Sequence, residues 1–447
     1  MLYNMQKRIT PARIIILGFM GLILFGTVLL MLPISTQTPG GSGFIQSLFT
    51  ATSATCVTGL IVQDTATYWS PFGQVVILML IQIGGMGVVT MAIAITMFTG
   101  RRIGLKQRWV MQESISAPQV GGIVRMTGFV LKSTLLIEGI GALLLAFRFC
   151  PEFGFLKGIW YGVFHSISAF CNAGFDLMGV KVPFSSVTSY ADDPLVNGTI
   201  MALIVVGGIG FVTWADIREH KLRLRAYRLQ TKLVLLTTAG LLVTATLFFF
   251  CYEFSLPQWD GLSFGEKLLA AMFQAVSPRT AGFNTVDLTQ LSRASVLVTI
   301  LLMITGGSPG STAGGYKTTT LAVLLLNVWA VIRQKSNVQG FGRRLPEEIL
   351  RRATTIFMLY LILFCTGGLL ICCIDGVPLY MALYETASAI GTVGLSLGIT
   401  PGLSVSSHLI LIFLMYFGRV GGLTLIFAVV FHDRYPAQLP QEQITVG

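Results

Sequence analysis

Four short stretches of the chain decide its fold. Residues 51–60 read ATSATCVTGL, 166–175 read SISAFCNAGF, 274–283 read QAVSPRTAGF and 386–395 read TASAIGTVGL. Each carries glycine at its ninth position (Gly59, Gly174, Gly282, Gly394), and each glycine is followed by Leu or Phe. Three copies place Ser then Ala at the third and fourth positions. The glycines recur about every 110 residues, a period that marks tandem structural repeats. Glycine and serine are common wherever membrane helices pack closely, which accounts for one such decamer. Four copies at even spacing need a shared purpose.

Each decamer ends a short apolar stretch, near 43–55, 158–170, 265–277 and 378–390. These are too short to cross a bilayer, which takes roughly 20 apolar residues, and suit re-entrant half-helices. Longer apolar runs flank them at 12–33, 73–98, 124–148, 199–215, 232–252, 296–330 (interrupted), 354–374 and 405–431. The pattern predicts an all-helical integral membrane protein. It has eight spans and four re-entrant pore helices around a pseudo-fourfold axis. The repeats divide as 1–100, 101–220, 221–340 and 341–447, the last including a C-terminal tail.

Composition agrees. Of 447 residues, 53% are hydrophobic and 11% charged, against about a quarter charged in soluble domains; mean hydropathy is +0.76. The first apolar run follows a charged start and lacks a small-residue cleavage site, so it reads as a retained helix. The net charge of +11 does not indicate a nucleic-acid partner, because the basic residues cluster in short loops. Those loops hold Arg101, Arg102, Lys106 and Arg108; then Arg218, Lys221, Arg223, Arg225 and Arg228; then Arg333, Lys335, Arg343, Arg344, Arg351 and Arg352. The alternate loops are acidic, with Asp64, Glu152, Asp176, Asp192, Asp193, Glu253, Asp260, Glu266, Asp287 and Asp375. The positive-inside rule places the basic loops and both termini in the cytoplasm and the re-entrant stretches on the outer side of a plasma membrane. These basic loops are first of all topology signals; binding to anionic lipid headgroups or to a soluble partner is their secondary reading. Seven cysteines and four histidines show no metal or disulfide spacing. No paired carboxylates or nucleophile–base set lies in the spans, so the chain does not read as an enzyme.

The decamers suit passage of a bare cation. A dehydrated ion recovers its water oxygens from backbone carbonyls. Aiming those carbonyls requires non-helical torsions, which glycine permits. The C-terminal end of each half-helix adds negative potential. The predicted lining is Thr55, Cys56, Val57, Thr58 and Gly59; Cys171, Asn172, Ala173 and Gly174; Arg279, Thr280, Ala281 and Gly282; and Gly391, Thr392, Val393 and Gly394. The last set carries the Thr-Val-Gly core of potassium-channel filters. Arg279 is expected to lend its carbonyl to the lining while its side chain braces the turn from behind.

The second span of each repeat carries a glycine cluster, at 84–87, 207–210, 306–307 and 421–422. The third is extreme: 305–316 read TGGSPGSTAGGY. No regular helix survives that composition, so a break beneath the decamers is expected, made of Gly306, Gly307, Ser308, Pro309, Gly310, Ser311, Thr312, Ala313, Gly314 and Gly315. Arg419 lies at a similar depth in the fourth repeat. A charge there faces water or a partner; it either bars the ion path by bonding the loop or clamps helices together. Residues 310–318 approach a phosphate-binding loop, but Tyr316 separates Gly315 from Lys317 and no strand precedes it, so nucleotide binding is rejected. Lys132 and Glu138 are six residues apart, off a common helix face, and are expected to pair with other helices.

With these motifs the chain resembles the Ktr/Trk/HKT superfamily of potassium transporters, most closely the membrane subunit of bacterial Ktr systems. The resemblance covers essentially the whole chain. It implies potassium as the transported ion, since four filter glycines go with potassium in that family and serine in the first copy with sodium preference. It also implies an intramembrane gating loop, a homodimer, activation by sodium, and a cytosolic regulatory ring binding ATP or ADP. The chain itself is expected to hold no cofactor. The rival reading is the pore subunit of an ATP-driven potassium pump, a related class that is longer and has extra spans.

Overall fold

In a computed structural model, residues 11–88, 90–91, 109–110, 112 and 122–422 are described. The first basic loop (Arg101, Arg102, Lys106, Arg108), the ends of the runs at 73–98 and 405–431, and both chain termini lie outside them.

Four long helices, α1 (Pro11–Met31), α4 (Ile123–Phe153), α8 (Leu229–Cys251) and α12 (Glu347–Asp375), open the four repeats. Each is long and apolar enough to cross a membrane. Their outer faces expose large apolar side chains such as Phe25, Leu143, Phe147, Leu236 and Ile362. Each packs most extensively on the shorter helix that follows it: α2 (Phe44–Thr55), α5 (Phe155–Phe170), α9 (Phe264–Val276) and α13 (Leu379–Gly391). The C-terminal halves of these short helices are buried and rich in Ala, Ser and Thr. Small and hydroxyl-bearing residues thus gather where these halves lie, a packed apolar core with Trp69, Phe149, Phe164 and Phe249 surrounds them, and the periphery is apolar.

A further helix closes each repeat: α3 (Pro71–Met86), α6 (Pro194–Ile209), α10 (Arg293–Ile304) and α14 (Val405–Val420). All four start at a side-chain cap, Ser70, Asp193, Ser292 and Ser404, each accepting from a backbone N–H of the first turn. Each then packs on the short helix of the next repeat: α3 on α5, α6 on α9, α10 on α13, and α14 back on α2. That last contact closes the circuit, so the four repeats form a ring about one axis.

The break expected in the third repeat is present, and the other second spans, expected as continuous runs, are corrected. Helix α3 stops at Gly87 (φ 87°) and α14 at Gly421 (φ 91°). Gly210 (φ 99°) separates α6 from α7 (Phe211–His220), which leaves at 92°. In the third repeat, residues 305–317 are non-helical and α11 (Thr318–Ile332) resumes. Glycine adopts the positive φ that these breaks need without the Cβ clash other residues suffer. The all-helical architecture holds; among the described residues one short hairpin in the third basic loop pairs Gln339 with Arg344 and Gly340 with Arg343. Its two-residue turn, Phe341 (φ 49°) and Gly342 (φ 73°), has the positive φ of tight hairpins. All seven cysteines are free thiols.

Candidate functional site

The four decamers meet. In each, the residue two before the glycine is left-handed: Val57 (φ 57°), Asn172 (φ 59°), Thr280 (φ 67°) and Thr392 (φ 50°). The glycines follow at φ 92°, 70°, 80° and 96°. In three copies the short helix ends in a Schellman motif. Val57, Asn172 and Thr392 N–H groups donate to the carbonyls of Ala54, Ala169 and Ala389 (3.2, 3.1 and 3.1 Å). Those of Thr58, Ala173 and Val393 donate to Ser53, Ser168 and Ser388 (2.8, 2.7 and 2.8 Å). In the third copy Ala281 N–H donates to Ser277 (3.0 Å), the serine having moved one place along. Glycine usually occupies the left-handed position of this motif; β-branched Val57 and Thr392 there, and Thr280 at the matching place of the third copy, mark imposed strain.

The serines hold the turns twice. Ser53 and Ser388 hydroxyls accept from the N–H of Gly59 (3.1 Å) and Gly394 (2.9 Å). Ser168 donates to the carbonyl of Phe175 (2.6 Å), and Ser277 donates to that of Phe283. The Ser in three decamers was visible in the sequence; its bracing role and the shifted fourth serine were not.

Around the axis the glycines touch in sequence. A Cβ added at Gly59 would fall on the Ala173 carbonyl oxygen, and one at Gly394 on that of Thr58. At Gly174 it would lie 2.6 Å from the Ala281 oxygen and at Gly282 2.5 Å from that of Val393. Only glycine tolerates such approach. Among the described residues, the buried hydroxyls of Thr55, Thr58 and Thr392 have no protein partner. Just behind, Gly84, Gly207 and Gly418 let the third helices lie against the carbonyls of Thr55, Phe170 and Ile390, the fifth residue of each decamer. Cys56 and Cys171 are fully buried. Arg279 is buried too, and its Nη2 reaches Thr238 of α8 (3.5 Å), away from the ring, as a brace would.

Above the ring a cavity of about 260 Å³ is lined by all four glycines. The residue two after each glycine also faces it: Ile61, Asp176, Asn284 and Ser396. Burial, with the Asp64 carboxylate close by, pushes the Asp176 carboxyl up to about 7.

Below the ring lies residue span 305–317. Its base closes where Gly306 N–H donates to Tyr316 (2.8 Å) and Thr318 N–H to Gly307 (3.0 Å). Its tip supplies what the broken α6 lacks. Ser308 and Thr312 N–H groups donate to the freed carbonyls of Gly208 (2.9 Å) and Gly207 (3.4 Å), and Phe211 N–H, the first of α7, donates to Gly310 (2.8 Å). The Thr312 hydroxyl reaches the decamer itself, at the Phe170 carbonyl (3.1 Å) and Asn172 Oδ1 (3.0 Å). Gly314 and Gly315 pass against Thr392 and the carbonyl of Gly391. Gly307 packs on Ala313, and the Ser311 hydroxyl has no partner among the described residues. Pro309 turns its carbonyl toward Gly210.

Arg419 meets this loop. Its Nη1 donates to the Thr312 carbonyl, and its Nη2 donates to Gly84 (2.6 Å) and Gly85 (2.8 Å), carbonyls at the C-terminal end of α3. A cation is favoured at such an end. One side chain from the fourth repeat thereby ties the first repeat's helix to the third repeat's loop. A second cation joins it: Lys317 Nζ donates to Ala313 (2.7 Å) and Gly314 (3.2 Å). Lys317 was missed as a site residue; its position within an apolar run was the signal. A cavity of about 320 Å³ opens on the far side, lined by Gly87, Gly310, Lys317, Tyr360, Arg419 and Gly421 among others.

Glu138 meets another helix as expected, whereas Lys132, among the described residues, does not pair with one. Glu138 is buried behind the second decamer, where Gln82 Nε2 donates to it (3.3 Å) and the Cys171 thiol approaches (3.9 Å). Lys132 is exposed and shares a groove with Arg125 and Arg218.

A ring of glycine turns at the inner ends of four half-helices, with a cavity on either side and a loop bonded by two basic side chains beneath, is the architecture of a membrane protein that carries cations. Comparison with known sequences agrees. The family described as "TrkH: Cation transport protein" matches residues 10–436, and the chain belongs to that family. Similar proteins include the potassium/sodium uptake protein NtpJ of Enterococcus hirae, 38% identical over 99% of both chains. The Ktr system potassium uptake protein B of Bacillus subtilis is 40% identical over 98% of this chain and 97% of its own. The potassium transporter TrkH from Vibrio parahaemolyticus shares the fold, with a TM-score of 0.69 over 92% of this chain and 84% of that one at 20% identity.

Proposed function

We propose that the protein is the pore subunit of a potassium uptake system. Potassium sheds its water in the outer cavity and is received by main-chain oxygens around Gly59, Gly174, Gly282 and Gly394. An interior-negative potential drives it inward, supplying about 2.3 kcal/mol per charge per 100 mV. The observation that carries this reading is the closed circuit of four glycines, each against the carbonyl preceding the next. Main-chain oxygens replace a hydration shell without depending on side-chain identity, which fits decamers that agree in little beyond Ser and Gly. The potassium uptake proteins among its relatives support the choice of ion.

The loop from Gly306 to Gly315 is the gate in this reading. Arg419 and Lys317 bond its carbonyls and set two positive charges below the ring. Opening requires those bonds to break. Relatives are named as parts of Ktr systems, which supports a further component. We assign that role to a cytosolic nucleotide-binding ring acting on a homodimer of this chain, with sodium as an activator. The repeats run 1–100, 101–220, 221–340 and 341–447, with both termini in the cytoplasm. The pump-subunit alternative draws no support from the uptake proteins the chain resembles.

The test is rubidium uptake by cells stripped of their own potassium systems. Expression of the chain with its regulatory partner restores saturable, potassium-competed uptake. Uptake no greater than that of cells carrying an empty vector would overturn the proposal.

A further inference from the structure

The outer cavity holds a feature that the ring of glycines does not require. Two residues beyond each glycine the chain turns a side chain into the cavity, so Ile61, Asp176, Asn284 and Ser396 occupy equivalent places around the axis. Their chemistry is unequal. Ile61 is apolar. The Asn284 amide nitrogen is committed to the Val286 carbonyl (3.1 Å). The Ser396 hydroxyl is committed to Glu385 (2.5 Å). Asp176 alone carries a carboxyl group, and a cation in the cavity favours its charged form. Its Oδ1 accepts from Met178 N–H (2.9 Å), and among the described residues its Oδ2 has no hydrogen-bond partner.

The neighbouring carboxylate contrasts with it. Asp64 Oδ1 accepts from Ala66 N–H (3.0 Å) and from Thr67 N–H and hydroxyl (both 2.9 Å), and its Oδ2 accepts from Phe184 N–H (2.9 Å). Asp64 is therefore spent on holding two loops together. Lys181, the nearest basic residue in sequence, is drawn away to Glu152 and the Tyr190 ring. Among the described residues Asp176 is left half-buried, without a cationic partner and facing the mouth of the pathway. A carboxylate in such a place concentrates cations, because low-dielectric walls focus its field into the cavity.

We infer that Asp176 forms an outer monovalent-cation site at the mouth, which loads ions into the glycine ring below. This inference rests on the potassium-uptake reading and adds the position at which the ion is first held. The site is asymmetric: one carboxylate, with main-chain oxygens and the Oδ1 of Asn284, which accepts no hydrogen bond among the described residues, to complete it.

Rubidium uptake measured against outside rubidium tests it. Asp176→Asn keeps an acceptor for Met178 N–H and removes the charge. The half-saturating concentration is expected to rise about tenfold, the effect of one unit charge a few ångströms away in a partly hydrated site, while the maximal rate is kept. A second variant moves the charge: Ile61→Asp in the Asp176→Asn background restores a carboxylate at the equivalent place in the first repeat and returns half-saturation toward the wild-type value. An unchanged half-saturation in Asp176→Asn overturns the inference. So does failure of the relocated carboxylate to restore it, which would make Asp176 a brace of its own loop. Either result leaves the uptake proposal standing; that proposal falls only if the wild type carries no rubidium.

Discussion

Replacing Arg419 by Gln tests the gate most sharply. The guanidinium bonds three carbonyls, but only the bond to Thr312 spans from the fourth repeat to the loop. Those to Gly84 and Gly85 anchor the side chain on α3. A hydrogen bond to a charged group contributes about 1.5–3 kcal/mol. Losing the Thr312 bond therefore shifts the closed-to-open balance of the loop by about tenfold to a hundredfold. Removing the charge also lowers the electrostatic barrier to a cation below the ring, which acts in the same direction. Rubidium uptake per inserted protein should rise several-fold at fixed membrane potential, most clearly without the regulatory subunit. Amounts in the membrane must be measured alongside, because the Gly84 and Gly85 carbonyls lose their partner. Uptake that is unchanged or reduced, with the variant present at wild-type level, would refute the gating argument and leave Arg419 as a clamp.

Lys317→Met removes the bonds to Ala313 and Gly314 and should raise flux in the same assay, by less than Arg419→Gln because both lost bonds lie within the loop. Gly59→Ser must place a Cβ on the Ala173 carbonyl; rubidium uptake should fall, and the ratio of sodium to rubidium uptake should rise. Ser388→Ala leaves Gly394 N–H without its acceptor, a loss of about 1 kcal/mol, and competition assays should show weaker discrimination between potassium and sodium. Gly210→Ala forces a side chain into φ 99° with its Cβ 2.6 Å from the Pro309 carbonyl, which should lower the melting temperature of the purified protein.

Much of this arrangement can be read in the chain, for a physical reason. A turn that needs positive φ and a carbonyl at van der Waals contact admits only glycine, so Gly59, Gly174, Gly282 and Gly394 stand out against variable neighbours. Arg419 is legible because a charge within an apolar run must find partners. The breaks at Gly87, Gly210 and Gly421 are harder to read, since a glycine pair in an apolar run serves equally for close helix packing. Lys317 is hidden by its company: Gly, Lys and Thr together imitate a phosphate loop and draw attention away from a lysine in an apolar span. The left-handed Val57, Thr280 and Thr392 leave no local signal, because their conformation is imposed by the surrounding ring. Ile61, Asp176, Asn284 and Ser396 share a place without sharing chemistry, and only the closed ring reveals that they face each other. The order of packing around the axis belongs to contacts between repeats and has no signature within any one of them.

The central claim is that a bare alkali ion rests among the main-chain oxygens of the four turns. Anomalous diffraction from crystals grown in rubidium tests it directly. The account predicts a peak on the axis, within coordinating distance of the main chain beside all four ring glycines and lost when potassium replaces rubidium. Peaks confined to the protein surface, with none inside the ring, would contradict it.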